Sequence, residues 1–126
     1  MDRLNTIDIE DALQAIFNDE GIVSCAPPVP ADLSTMCVVT RTGGFERAYV
    51  QDVHVLSIDC YAPEMVDAVN TANALCGIIR ALPGKRVGTT CYTTEVTTLP
   101  YMNPDPTHPT LARVTIGAQV ATRVQH

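Results

Sequence analysis

The segment that most constrains this chain runs from Gln51 to Tyr61, where apolar residues occupy both alternating faces. In an extended chain successive side chains point to opposite sides. His54, Leu56, Ile58 and Cys60 therefore share one face, and Val53, Val55, Ser57, Asp59 and Tyr61 share the other. A strand with apolar residues on both sides belongs inside a sheet and not at its rim. Pro63 follows at once and predicts the opening of a helix, because the first helical position has no use for the amide that proline lacks. Met65, Val69, Ala72, Leu75, Ile79 and Leu82 then recur at helical spacing as one continuous stripe, and Pro83-Gly84 ends it. A central strand feeding an amphipathic helix implies a helix packed on a sheet.

The flanking segments extend that pattern. Residues Thr6 to Asp19 predict a first helix, capped by Asn5 or Thr6. Asp8, Glu10 and Asp11 stand at the positive end of its dipole, and Ile9, Leu13, Ile16 and Phe17 form its apolar stripe. Gly21 suits the left-handed conformation that closes a helix. Ile22 to Cys25 is a short apolar segment, and Pro27, Pro28 and Pro30 forbid its continuation as a central strand. Thr35 to Arg41 reads as a strand, and Thr42-Gly43-Gly44 as a hairpin turn. Val87 to Thr98 reads as another strand. A loop over residues 99–109 follows, with Pro100, Pro104, Pro106 and Pro109. The last strand, Leu111 to Arg123, sets Val114, Ile116, Ala118 and Val120 on one face. The expected fold class is α+β: a mostly antiparallel, mixed sheet of about four or five strands carrying one long and one N-terminal helix. The length of 126 residues fits a single domain over 1–126.

Composition narrows the function. With no Trp and 46% hydrophobic residues, the core must come from Val, Ile, Leu, Ala and Cys. The net charge is −6 and the eight basic residues are scattered, which argues against a surface that grips nucleic acid. No signal-peptide pattern follows Met1, and no apolar run approaches the roughly 20 residues that span a membrane. The five cysteines have wide, irregular spacing without a CxxC, so free thiols packed as small hydrophobes in a reducing cytoplasm are expected.

The motifs of hydrolases, metalloproteases, P-loops and dinucleotide sites are absent from the sequence. His54 and Cys60 share a face as possible base and nucleophile, but lie roughly 20 Å apart on a straight strand. Asn103, Asp105 and His108 are metal-ligating types without a recognised ligand spacing. No catalytic residue, metal site or cofactor is assigned. The loops read better as surfaces. A long proline-restricted loop orders at low entropy cost and suits docking. The candidate interface residues are Thr42, Gly43, Gly44, Phe45 and Arg47 at the hairpin tip. In the proline-rich loop they are Tyr101, Asn103, Asp105 and His108, and on the polar face of the first helix Glu10 and Gln14. Deleting residues 103–107 is expected to leave the fold intact.

The block from Asp52 to Leu82 resembles the tail terminator proteins of long-tailed bacteriophages and the related tail-completion and neck proteins. The resemblance lies in a strand ending in an aromatic-alanine pair, Tyr61-Ala62, where that group often has Trp. A helix follows with small residues midway, Ala68, Ala72, Asn73 and Ala74, and an end at Leu82-Pro83-Gly84. Upstream, Val38 to Gly44 resembles the group's first hairpin; downstream, a long strand, a proline-containing loop and a regular final strand complete the element order. The resemblance implies a non-enzymatic virion protein at the tail–neck junction, assembled in the host cytoplasm. Its partners would be further copies of itself in a hexameric ring, the tail tube protein and the head connector or stopper, with phage DNA crossing the lumen. A head-completion or stopper protein is the nearest alternative; a small cysteine hydrolase is the alternative from another class.

Overall fold

A computed structural model describes residues 7–28, 35–47 and 50–124. In chain order its elements are α1 (Ile9–Asp19), β1 (Ser24–Cys25), β2 (Met36–Arg47), β3 (Gln51–Ala62), α2 (Met65–Arg80), β4 (Arg86–Val87), β5 (Thr89–Met102) and β6 (Ala112–Arg123). The sheet order is β1-β2-β3-β6-β5-β4. Among the described residues β1 pairs with β2 in parallel, and the other strand pairs are antiparallel. The fold is α+β, with the expected N-terminal and long helices on a mixed sheet.

β3, the strand with two apolar faces, sits between β2 and β6, and Ile58 lies opposite Val39 on one side and Ile116 on the other. Both helices cover the face that carries Leu56, Ile58 and Cys60. Ile9, Leu13 and Phe17 of α1 and Ala68, Ala72, Leu75, Cys76 and Ile79 of α2 close onto it. These apolar contacts are the main source of stability, since burying one such side chain contributes about 1.5–3 kcal/mol.

Several local expectations shift. The side chain of Asp8 caps α1 by accepting the Asp11 amide at 3.1 Å; Asn5 and Thr6, the caps expected from the sequence, lie outside the described residues, as does Pro30. Pro63 precedes α2 instead of opening it, because Glu64 is the extended cap residue. Thr42-Gly43-Gly44 is no turn. β2 continues to Arg47 with a bulge between Arg41 and Gly43. Glycine serves a close approach there: a Cβ on Gly44 would stand 2.6 Å from the Arg41 guanidinium and 2.7 Å from the Val53 carbonyl oxygen. Gly88, at φ 69°, separates β4 from β5 where one strand is expected. β5 also passes through Pro100, tolerated because β6 pairs with only one of its edges.

Candidate assembly surfaces

On the face away from α1 and α2, the end of β3 meets the loop that joins β5 to β6. Tyr61 lies opposite Arg113, and Asp59 opposite Thr115. Asp105 in the loop gathers these groups. Its carboxylate accepts from the Tyr61 hydroxyl at 2.8 Å, contacts His108 Nδ1 at 3.0 Å, and accepts from the hydroxyl and amide of Thr107 at 2.7 and 3.0 Å. The Arg113 guanidinium stands 3.7 Å away, donates to the Tyr61 hydroxyl at 3.3 Å and to the Pro104 carbonyl at 3.2 Å, and also donates to the Asn103 carbonyl. Hydrogen bonds from Thr107, His108 and Tyr61 hold the Asp105 carboxyl well below the usual carboxylate range. Burial pushes the Tyr61 hydroxyl up. Asn103 donates to Thr115 at 3.1 Å, and Thr115 donates to Asp59 at 2.6 Å.

These bonds change what the loop is for. Asn103, Asp105 and His108 direct their polar atoms into the fold and fasten the loop over Tyr61. Removing residues 103–107 would unfasten Tyr61 and Arg113 instead of trimming a free loop. The sequence marks Tyr61 only as the aromatic that ends a strand and gives no signal at Arg113 or Thr115; cross-strand register brings the three together. Among the described residues no group of three or more His, Cys, Asp or Glu side chains is placed to hold a metal.

A second polar cluster sits at the opposite end of the helix-covered face. Arg41 Nε donates to His54 Nδ1 at 3.2 Å, and His54 Nε2 lies 3.1 Å from the Thr122 hydroxyl. Arginine is only a donor, so Nδ1 accepts and Nε2 carries the proton. Burial, with Arg41 adding to it, lowers the His54 pKa and keeps the ring neutral. The Arg41 amide donates to the Glu10 carboxylate at 3.0 Å, tying α1 to the outer edge of β2, and Gln14 is half-buried on the same helix. Burial pushes the Cys25, Cys76 and Cys91 thiols up; Cys60 is pushed up further, with Cys37 beside it as the first cause. Among the described residues every buried side-chain nitrogen and oxygen has a partner.

Among the described residues the exposed large apolar side chains include, besides Val23, Met65 and Val66, two groups at the ends of the sheet, here called patches. Phe45, 50% exposed, projects from the outer half of β2 with the Arg47 guanidinium 5.9 Å from its ring centre, and Val50 is exposed near it in the chain. Leu99, Tyr101 and Met102 are 65%, 46% and 66% exposed at the end of β5. Register fixes the geometry: Phe45 lies in the cross-strand row Phe45–Val53–Ala121–Thr93, and Met102 in the row Met102–Val114–Cys60–Cys37. The rows are seven residues apart on β3, roughly 20 Å. The patches therefore occupy diagonally opposite corners of one sheet, with Phe45 in a row on the face of Val53 and Met102 in a row on the face of Cys60. Of the expected interface residues, Phe45, Arg47 and Tyr101 stand at these corners. A groove of 440 Å³ lies between the helices, lined by Ile16, Ala74, Gly77 and Ala81 with Lys85 and Arg86. Among the described residues no helix is long and apolar enough to cross a membrane. No known family model matches the chain, and no curated protein matches it significantly.

Proposed function

We propose that this chain is a structural ring subunit, a tail terminator of a long-tailed bacteriophage or a neighbouring neck protein. The observation that carries this reading is the pair of apolar patches at diagonal corners of one sheet. Large apolar patches on a monomer mark interaction sites. When two different patches on one chain meet copy to copy, the contact is heterologous, and a suitable rotation closes it into a ring. The patch at Phe45 and Val50 of one copy packs against Leu99, Tyr101 and Met102 of the next. The fastened 103–111 loop holds the second patch rigid, which reduces the entropy lost on association. A net charge of −6 suits a lumen that DNA crosses without being held.

Native mass spectrometry of the purified chain, alone and with tail tubes, tests this. A discrete closed oligomer, expected to be a hexamer, supports the reading. Leu99→Ser with Met102→Ser should abolish it while the circular dichroism spectrum stays that of the wild type. A chain that stays monomeric in both conditions, or an oligomer indifferent to both corners, overturns it.

A further inference from the structure

We propose that Cys37 and Cys60 are a latent cross-strand disulfide, a covalent lock between β2 and β3 that forms by exchange with a small-molecule disulfide. The two cysteines lie directly opposite each other, with their sulfur atoms 3.4 Å apart as free thiols. The Cys37 amide donates away from β3, to the Val23 carbonyl at 2.9 Å. The pair is therefore a non-hydrogen-bonded antiparallel pair, the kind in which opposite Cα atoms approach to about 4.5 Å. A disulfide accepts Cα separations from about 4.4 Å upward, so the bridge needs sulfur rotation and little backbone movement. Standing at the short end of that range, the bridge is readily reduced again. Both side chains are fully buried in the core beneath α1 and α2, with the two-residue β1 and α1 packed at the outer edge of β2 beside Cys37. Local opening of that edge, β1 together with α1, exposes the pair to water, allows a thiolate to form and admits the reagent.

The exchange balances. One cysteine, as thiolate, attacks the small disulfide, forms a mixed disulfide and releases one small thiolate. The second cysteine attacks the protein sulfur of that mixed disulfide, closes the Cys37–Cys60 bond and releases the other small thiolate. The two cysteine protons end on the two released thiols. The cysteines lose two electrons and the small disulfide gains them.

The test incubates the folded full-length chain with oxidised glutathione, then unfolds and alkylates it for intact-mass and peptide mapping. The expected product has lost the mass of two hydrogen atoms, keeps three alkylatable thiols of the original five, and yields one peptide joining Cys37 to Cys60. Its thermal midpoint should rise by about 5–10 °C and fall back on reduction. The Cys37→Ala chain should keep four alkylatable thiols. Five alkylated cysteines in the wild type, a lasting glutathione adduct, a bridge from Cys60 to Cys76, or an unchanged midpoint each overturn the proposal. The readouts come from the isolated chain, so they stand or fall separately from the ring.

Discussion

The two faces of β3 bury their residues by different physics. On the helix-covered face Leu56, Ile58, Cys60 and Ala62 meet the stripes of α1 and α2. On the face away from the helices Tyr61 and Thr115 are each only 3% exposed, and what fastens a cover over that end is a loop held by Asp105, Arg113 and Asn103. Apolar packing is non-directional and tolerates small rearrangements. A hydrogen-bonded network is directional, and removing one member leaves the others buried without partners. The first face should therefore set overall stability, and the second the placement and pH dependence of one corner.

The sharpest way to break this comparison is Leu75→Ala at the centre of the covered face. It should cost about 2–5 kcal/mol in denaturant unfolding; a cost under about 1 kcal/mol would mean the helices matter less than the network. Next comes Asp105→Ala, which leaves the Tyr61 hydroxyl without its acceptor and should cost about 1–3 kcal/mol near neutral pH. The folded Asp105 carboxyl titrates below its ordinary 3.8, so its contribution is complete above that value and fades as pH falls towards the folded one. Wild type and variant should accordingly converge in acid, and an unchanging gap there would assign the loss to packing. His54 gives a smaller effect in a separate window. Its folded pKa lies below the ordinary 6.5, so the unfolded chain takes up the proton first. Stability should decline as pH falls below 6.5, by at most about 1.4 kcal/mol per pH unit. His54→Gln should flatten that slope without touching the more acidic one. Smallest of all, Phe45→Ser should change stability by less than about 0.5 kcal/mol. A larger loss would show that this corner belongs to the core and is not a free surface.

Local pattern carried much of the fold. The helical stripes, the two apolar faces of β3 and the alternation along β6 place these elements because side-chain periodicity is a property of a few neighbouring residues. Ambiguity began where one residue type serves two geometries. Gly43-Gly44 fits a turn or a bulge with close backbone approach, and Pro100 fits a loop or an edge strand. The candidate surfaces divided in the same way. Phe45 and Tyr101 were legible as outward-facing, but Leu99 and Met102 were not, because continuation of β5 past Pro100 depends on its pairing with β6.

The sequence by itself determined that a two-sided strand would lie inside a sheet covered by two amphipathic helices. Only the tertiary structure decided that Asn103, Asp105 and His108 turn inward, that Tyr61 meets Arg113, and that Cys37 faces Cys60. Those meetings join residues far apart in the chain, and their partners are chosen by strand register, which no short stretch of sequence encodes.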